Sequence, residues 1–494
     1  MRFPLLRTGR FIVLMAAMTT VVATDSVEAQ KPDRSERPPL GPMPNVNLPD
    51  AKRFALENGL DIVLVEKREV PLVQINLLVR AGAAYDAPAQ VGLASLTAEM
   101  LDEGAGGRSA LDLADAFERL GARFNVNAGR HLTAVSLRAP VSRLDDALAL
   151  MRDVVLRPDF PAEELDRKRD ERLTALIRRH DEPNAIADVL LRNVVFGKDH
   201  PYGRSTIGDE QFLQQVVPGH LRAFHAAHYV PNAATFVVVG AIDTAAAHQA
   251  IERAFGDWQR NTAPELILTE PMQVSGRVVY ILDKPGAVQS VIAIGRVGVA
   301  RDHPDYYALE VMNTILGGSF TSRLNQNLRE DKGYTYGAGS GFDYGLVKGS
   351  FSARASVQTQ STGPAIAEFL KEFRAMHEPI PAEEFDRARN NLATGFIQGF
   401  QSVAQIAAQL GDVREYDLPA DWLEEWVGRI TAVAPADVAR VVDDAIRTED
   451  LAIIVVGDRS QIEEQIRALD IGSIRILSVT DVLGPVPVMG RPTS

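Results

Sequence analysis

The sequence predicts an α+β fold made of two homologous domains, each a mostly antiparallel sheet with helices packed on it. Residues 161–177 (PAEELDRKRDERLTALI) and 381–397 (PAEEFDRARNNLATGFI) agree at 9 of 17 positions, at an offset of 220. The run ATFVVVG that ends at Gly240 recurs as LAIIVVG ending at Gly457, at an offset of 217. Two matches at nearly the same spacing predict an internal duplication. Strands and helices mixed with hairpins, without regular βαβ units, predict the α+β class.

Hydrophobic periodicity predicts the elements of the first half in order. A strand enters a hairpin turn at Asn58-Gly59, a dipeptide suited to the positive backbone angles of such turns. Further strands are predicted at residues 60–66, 73–81, 123–127, 132–139 and 234–242. Helices are predicted at residues 92–101, 109–120, 141–157, 162–179, 185–196 and 220–229.

Changes in composition predict the domain boundaries. Residues 30–50 are polar and rich in proline, which predicts a flexible tether. The first domain is then expected at residues 51–260 and the second at 277–476, joined by a proline-containing linker at 261–276. Residues 477–494 are expected to form a tail that packs loosely or not at all.

The N-terminal residues have the pattern of a cleavable signal peptide. Arg2, Arg7 and Arg10 precede an apolar core of 13 residues, and Val27-Glu28-Ala29 resembles a small-x-small cleavage site. The prediction is a signal peptide at residues 1–29 and a periplasmic mature chain with no membrane span. Cysteine is absent from the sequence, which excludes disulfides and thiolate sites.

The net charge of the chain limits the classes of molecule that it could bind. The chain of 494 residues carries a formal net charge of −13, which argues against nucleic-acid binding because that function needs a basic face.

Residues 316–337 (LGGSFTSRLNQNLREDKGYTYG) are the stretch with the most chemical content. Gly317-Gly318 permit a close approach of another chain segment, and Gly333 ends a short helical run. Arg329 on that run and Tyr336 on the following extended segment can converge on one spot. Together they could hold a peptide carbonyl and stabilise charge that develops on its oxygen. Spacing alone favours the alternative, a surface arginine and a half-buried tyrosine.

Several motifs together carry a family resemblance. They are NGL at 58–60, VRAGAAYDAP at 79–88, GLASLTAEML at 92–101, HPYGRSTIG at 200–208, YVPNAATFVVVG at 229–240 and the stretch at 316–337. On these motifs the chain resembles the pitrilysin/insulinase-type zinc peptidases, in the short subclass that includes the mitochondrial processing peptidase. The resemblance covers nearly all of the chain after the predicted signal peptide.

The resemblance implies a degenerate zinc site. The family motif is HxxEH, in which two histidines one helical turn apart bind zinc and a glutamate activates water. The corresponding positions here hold Ser95, Ala98 and Glu99, and the position of the third, glutamate ligand falls at Ala175. We therefore expect no metal and no other cofactor in this chain. His225 and His228 have helical spacing, but the prediction favours an ordinary helix-to-strand connection there, and a hydrogen-bonding loop role for His200.

The resemblance also implies a retained peptide-contact site. The family's second domain contributes an arginine and a tyrosine spaced LR-x6-Y, which contact the peptide and stabilise the tetrahedral intermediate. Leu328, Arg329 and Tyr336 match that spacing. Gly317-Gly318 resemble the glycine-rich loop that handles substrate in the noncatalytic subunit of the processing peptidase.

These inferences lead to the hypothesis of a noncatalytic subunit in a heterodimeric zinc metalloendopeptidase, without activity on its own. The partner would be an HxxEH-containing homologous subunit that holds the zinc, and the substrate an extended peptide added to a sheet edge near residues 129–137. One alternative is a catalytically inert peptide-binding or scaffold protein of the same fold. Another is an active peptidase with a different metal arrangement.

Overall fold

The computed structural model describes residues 50–273 and 275–489. The predicted signal peptide at 1–29 and nearly all of the predicted tether at 30–50 lie outside these residues. No helix within the described ranges is both long enough and apolar enough to cross a membrane.

The first half contains eight strands and eight α-helices within the described ranges. The strands are β1 (Lys52–Ala55), β2 (Asp61–Glu66), β3 (Leu72–Val79), β4 (Gly104–Ala105), β5 (Arg108–Ser109), β6 (Arg123–Ala128), β7 (Thr133–Pro140) and β8 (Ala234–Gly240). The helices are α1 (Leu93–Glu99), α2 (Ala110–Arg119), α3 (Leu144–Leu156), α4 (Ala162–Arg179), α5 (Pro183–Phe196), α6 (Glu210–Gln215), α7 (Pro218–His228) and α8 (Thr244–Phe255).

The second half repeats this plan. Its strands are β9 (Val278–Asp283), β10 (Gln289–Val297), β11 (Thr335–Asp343), β12 (Ser350–Gln358), β13 (Ala452–Gly457) and β14 (Ser473–Leu477). Its helices are α9 (Tyr306–Leu316), α10 (Arg323–Asn325), a π-helix (Gln326–Asp331), α11 (Thr362–Ala375), α12 (Ala382–Gln398), α13 (Val403–Glu415), α14 (Trp422–Ala432), α15 (Pro435–Ala445), α16 (Arg459–Arg467) and α17 (Val479–Leu483).

The two six-stranded sheets share one strand order, which confirms the predicted duplication. The first runs β1-β2-β8-β3-β7-β6 and the second β14-β9-β13-β10-β12-β11. Parallel pairs are β2 with β8 in the first sheet and β9 with β13 and β14 in the second, and the other neighbours are antiparallel. Glu66 pairs with Gly240 and Asp283 with Gly457, so both members of the second pair lie 217 positions after those of the first. The mostly antiparallel α+β fold is therefore as predicted.

The halves exchange one helix each. Helix α13 of the second half packs on the first sheet, where Ile406 and Leu410 join a cluster with β2 and β8 residues such as Val63 and Val237. Helix α5 of the first half packs on the second sheet, where Leu191 contacts β10. The contact is close: a Cβ added to Gly295 of β10 would lie 3.0 Å from Leu191 Cδ1. Both faces of each central sheet are thus buried, which explains continuous apolar runs such as ATFVVVG.

Two sequence expectations about edges and termini are wrong. Strand β7, within the predicted binding edge at 129–137, is interior, because β6 covers its free side with Val126 opposite Val135. The residues from 477 to 489 do not form a loose tail. Strand β14 pairs with β9, and Val482 of α17 is buried against α5, so a few spaced apolar residues are enough to anchor this segment. Residues 490–494 of the predicted tail lie outside the described ranges.

Candidate functional site

Helix α1 begins at a tightly held glycine and an unusual cap. Gly92 has φ +93°, and a Cβ there would lie 2.4 Å from Gly208 Cα, so only glycine fits. The carboxylate of Asp86 accepts the backbone N–H groups of Gly92 (2.7 Å) and Ala94 (2.8 Å). Asp86 is buried, and this burial raises its pKa to about 7 despite the hydrogen bonds.

The three chemically important positions of the HxxEH motif lie on α1, and their side chains do not form a set of metal ligands. Ser95 is buried, and its hydroxyl donates to the backbone carbonyls of Gly92 and Thr206. Ala98 is buried in the core, whereas Glu99 is exposed. Ala175, at the position of the third ligand, is half-buried on α4.

An arginine on α4 that the family motif does not include contacts these positions. Arg172 lies on α4, one turn before Ala175, and its side chain is buried. Its Nη2 lies 3.0 Å from Glu99 Oε1, and its Nε donates to Glu99 Oε2 at 3.2 Å. Its Nη1 donates to the carbonyls of Gly92 and Ile207, each at 3.1 Å. A fixed cation therefore satisfies the carboxylate at the second histidine position.

These residues do not fit a zinc ion. Structural and catalytic zinc sites need three or four ligands from imidazole, thiolate and carboxylate. Here a hydroxyl, a methyl group and a carboxylate already paired with Arg172 stand in their place. Nowhere in the described ranges do three His, Cys, Asp or Glu side chains come together in a metal-binding arrangement.

The histidines that invited a metal interpretation are bound by other groups. His225 Nε2 lies 2.8 Å from the carbonyl oxygen of Val155, and His228 stacks on Phe224 with ring centroids 4.2 Å apart. Burial lowers the pKa of both histidines, which favours their neutral forms.

His200 shapes the HPYG loop through hydrogen bonds, as expected. Its Nδ1 accepts from Tyr202 N (3.0 Å), and its Nε2 lies 2.9 Å from the Thr269 carbonyl oxygen. Tyr202 is thereby held at the junction of the two halves, where its hydroxyl accepts from Leu346 N (2.9 Å) and contacts His131 Nε2 (2.8 Å).

Arg329 lies in the π-helix, a rare and wide turn that recurs at functional sites. The sequence pattern predicts an ordinary helical run there. Gly333, at φ +65°, ends it and allows Tyr334 N to donate to Leu328 O at 2.9 Å. The Arg329 guanidinium sits over the ring of Phe320, 4.6 Å from its centroid, and its Nε lies 3.4 Å from Glu330. About a third of the Arg329 side chain is exposed.

Tyr336 projects from the edge of the second sheet. Strand β11 is the edge strand, and its register with β12 shifts between Thr335 and Ala338. The shift is stabilised by Thr335 Oγ1, which donates to Ser356 O (2.7 Å) and accepts from Gly337 N (3.1 Å). A bulge of this kind re-aims a side chain. Tyr336 is 93% exposed, more than any other large apolar or aromatic residue of the described chain.

Gly317 and Gly318 follow α9 and pack closely against neighbouring backbone. A Cβ on Gly317 would lie 2.3 Å from Ser340 N, and one on Gly318 would lie 2.7 Å from Asn313 Nδ2. The carbonyl of Gly317 accepts from Ser340 N at 3.2 Å. These glycines bring the end of α9 onto β11, the strand that carries Tyr336.

The structure thus separates two sets of predicted residues. Ser95, Glu99 and Ala175 lie on helices α1 and α4 of the first half. Arg329 lies in the π-helix of the second half, and Tyr336 lies on the strand β11 that follows it. Among the residues that the structure describes, no hydrogen bond or ion pair joins the two sets, and none joins Arg329 to Tyr336. Phe320, which is 68% exposed, contacts the Arg329 guanidinium, and the motif spacing in the sequence did not predict this contact.

Comparison with known proteins identifies the family. The sequence profile of "Insulinase (Peptidase family M16)" matches residues 61–210, and that of "Peptidase M16 inactive domain" matches residues 216–392. Together they cover more than half of the chain. The chain belongs to the M16 peptidase family.

Individual relatives of this M16 chain agree with that assignment. An "uncharacterized zinc protease" of Rickettsia bellii is 27% identical over 359 residues, which are 72% of this chain and 85% of the relative. The crystal structure of a peptidase M16 inactive domain from Pseudomonas fluorescens is 27% identical, has a TM-score of 0.78, and covers 83% of this chain and 98% of its own. A protease from Helicobacter pylori, at 18% identity and a TM-score of 0.77, shares the fold and covers 83% of this chain and all of its own.

Proposed function

We propose that this M16 chain is the noncatalytic subunit of a heterodimeric zinc peptidase. The partner is an exported homologue with an intact HxxEH motif, which holds the zinc. This chain contributes Arg329 and Tyr336 to the peptide bound at the partner's site. Both subunits act in the periplasm, to which the predicted signal peptide at 1–29 directs this chain.

The exposure of Tyr336 is the observation that carries the proposal. An aromatic ring stabilises a fold mainly through the apolar area that it buries. The side chain of Tyr336 is 93% exposed and therefore contributes little to the stability of the fold. The Thr335 hydroxyl holds the bulge that projects this ring from the edge strand, because it donates to Ser356 O and accepts from Gly337 N. The phenol is a rigid donor presented outward, which suits a group that acts on a molecule outside this chain.

Arg329 and Tyr336 have the chemistry to bind a peptide carbonyl. A guanidinium offers five N–H donors in a fixed fork, and a phenol offers one O–H donor. The Phe320 ring supports the guanidinium from one side by a cation–π contact and leaves part of it exposed. In the proposed complex Tyr336 donates to the oxygen that gains negative charge, and Arg329 donates to a neighbouring carbonyl. Such donors stabilise a transition state more than a ground state.

The residues at the HxxEH positions support the proposal that the partner, and not this chain, holds the zinc and activates water. Arg172 holds Glu99 as a salt bridge at 3.0 Å, and Ala98 has no group that could activate water. Gly317 and Gly318 serve the same site by packing the end of α9 onto β11, which fixes the base from which Tyr336 projects.

The test is co-expression of residues 30–494 with an exported HxxEH homologue from the same genome. We expect the two chains to copurify, peptide cleavage by the pair but by neither chain alone, and zinc in the pair only. Arg329→Ala should lower turnover of the pair, whereas Arg119→Ala should not, since Arg119 is an exposed arginine on α2 paired only with Asp115.

Other outcomes assign other functions. If the isolated chain captures peptides and no HxxEH homologue copurifies, it is an inert peptide-binding or scaffold protein. If the isolated chain contains stoichiometric zinc and cleaves peptides, it is an active peptidase, and the proposal is wrong.

A further inference from the structure

A cavity with an excess of arginine lies beside α4 and α5, apart from the Tyr336 site. Its volume is about 360 Å³, within the range of small-molecule sites. The ends of α4 and α5, the loop after the HPYG motif and the segment that follows α17 form its walls. We call it the arginine cavity, and its charged lining includes Arg179, Arg192, Lys198, Arg204, Asp209 and Glu210.

The two carboxylates of the arginine cavity are bound by other groups. Asp209 caps α6 and accepts from Phe212 N at 2.8 Å. Glu210 Oε1 accepts from Gln214 Nε2 and from Val488 N, each at 2.8 Å. In the described part of the chain, neither carboxylate forms an ion pair with a cavity arginine. The positive charge of the lining is therefore not balanced within the cavity.

Arg192 lacks a carboxylate of its own. It is half-buried on α5, and the structure gives it no ion pair within the described ranges. The two nearby carboxylates bind other arginines: Asp188 lies 2.8 Å from Arg354, and Asp343 lies 2.6 Å from Arg130. A partly desolvated cation without a counterion is unfavourable unless an anion binds to it.

Arg179 also forms no ion pair within the described ranges. Its Nη1 donates to a neutral hydroxyl, Ser205 Oγ, at 3.1 Å. Arg179 and Arg192 line the same cavity. Burial and then the charge of Arg192 lower the pKa of Arg179, and the charge of Glu182 has a smaller, opposite effect. Burial also lowers the pKa of Arg192. An anion bound in the cavity would favour the charged form of both guanidinium groups.

Part of the cavity lining is apolar. Leu176 and Val189 lie one turn from Arg179 and Arg192 on α4 and α5. The end of α17 and the segment after it add a wall formed by Val482, Leu483, Pro485 and Pro487. Val482 is buried against α5, which fixes this wall in place. A ligand that fills the cavity must therefore carry both an anionic group and an apolar body.

We propose that the arginine cavity binds a small organic anion. Arg179 and Arg192 hold its phosphate or carboxylate group, and the wall formed by Val482, Leu483 and the two prolines covers its apolar part. Guanidinium forks suit both anions, because each presents two oxygens to paired N–H donors. This site is independent of Arg329 and Tyr336, and its failure would leave the proposed function intact.

The test is calorimetric titration of residues 30–494, in a Tris chloride buffer, with phenyl phosphate, benzoate and neutral phenol. We expect saturable binding at one site for at least one anion and none for phenol. Tighter binding of phenyl phosphate identifies a phosphate ester as the ligand class, and tighter binding of benzoate identifies a carboxylate. Arg179→Gln and Arg192→Gln should each weaken binding about tenfold or more, while Arg119→Gln should leave it unchanged. Absence of saturable binding by both anions at millimolar concentrations overturns the proposal.

A thermal measurement separates this role from a merely structural one. Without ligand, Arg192→Gln should raise the melting temperature, because it removes a partly desolvated cation that forms no ion pair within the described ranges. The variant should also abolish the rise that the bound anion causes in the parent chain. A melting temperature lowered by Arg192→Gln, with the anion-induced rise retained, would show that Arg192 stabilises the fold and does not bind the anion.

Discussion

Arg172 binds Glu99 through two contacts, Nη2 to Oε1 at 3.0 Å and Nε to Oε2 at 3.2 Å. The same guanidinium ties the carbonyls of Gly92 and Ile207 to α4. In this M16 chain a side-chain cation holds together the segments that meet around the HxxEH positions.

Arg172→Ala should lower the free energy of unfolding by about 2–4 kcal/mol. The variant leaves the buried carbonyl of Gly92, the half-buried carbonyl of Ile207 and the carboxylate of Glu99 without the Arg172 donor. Urea denaturation followed by circular dichroism measures the change. Arg119→Ala, which removes an exposed pair at 3.2 Å, should change the free energy by less than about 0.5 kcal/mol. Equal effects of the two substitutions would contradict the structural role of Arg172.

Added zinc should leave the melting temperature of the isolated chain unchanged. A metal stabilises a protein only when it binds the native state, and the ligand positions hold Ser95, Ala98, Glu99 and Ala175. Differential scanning fluorimetry with excess zinc or with a chelator measures this. A rise of several degrees with zinc, together with stoichiometric metal after gel filtration, would contradict the account of the site.

Asp86 should make the chain less stable as pH rises from about 4 to about 7. Its pKa is about 7 in the native state, above the ordinary value of 3.8, so the native state binds the proton more tightly than the unfolded state. The stability from this group is complete below about pH 4 and is lost as pH rises through the native pKa. Asp86→Asn removes the dependence. Urea titrations from pH 4 to 8 should therefore show the parent chain losing stability relative to this variant.

Asp458 provides a control of opposite sign. It caps α16, and hydrogen bonds from Ser460 and Gln461 lower its pKa. Its contribution is present above the ordinary carboxyl pKa of 3.8 and is lost as pH falls below it. Between pH 4 and 8 the effect of Asp458→Asn should therefore be nearly constant, whereas Asp86→Asn should become more disruptive as pH falls. Parallel pH profiles for the two variants would contradict the assignment of Asp86.

Gly317→Ala should destabilise the chain by about 1–3 kcal/mol, because its Cβ would lie 2.3 Å from Ser340 N, a backbone atom that cannot yield without moving β11. Gly341→Ala, on β11 next to Ser340, is the matched control, since a Cβ there meets no atom within 4 Å. Thermal unfolding of both variants measures the difference. Equal melting temperatures would show that the close approach at Gly317 is not needed.

Local sequence patterns predicted most of the strands and helices, because apolar residues recur about every two positions in a half-buried strand and about every 3.6 positions in an amphipathic helix. The 217-residue offset predicted two similar sheets, and the pairing of Glu66 with Gly240 and of Asp283 with Gly457 confirms it. The exchange of α5 and α13 could not be predicted. An apolar helical face has the same period whichever sheet it packs against.

The chemistry of the candidate site was predictable only in part. The residues at 95–99 followed from the family motif, but Arg172 reads as one of several charges on α4 until its burial is known. The π-helix at Gln326–Asp331 has the composition of an ordinary helix. Its wider turn depends on tertiary packing, so the sequence alone could not predict it. The anchoring of Val482 likewise depends on α5, a helix distant in sequence.

The most direct test of the proposed function is the turnover number of the reconstituted heterodimer carrying Tyr336→Phe. This change removes one hydroxyl from an exposed ring and leaves the fold intact. We predict that kcat falls about 10²–10³-fold while the two subunits still copurify, and that Tyr334→Phe, on the same segment, leaves kcat unchanged. An unchanged kcat for Tyr336→Phe would contradict the proposal that this chain completes the partner's active site.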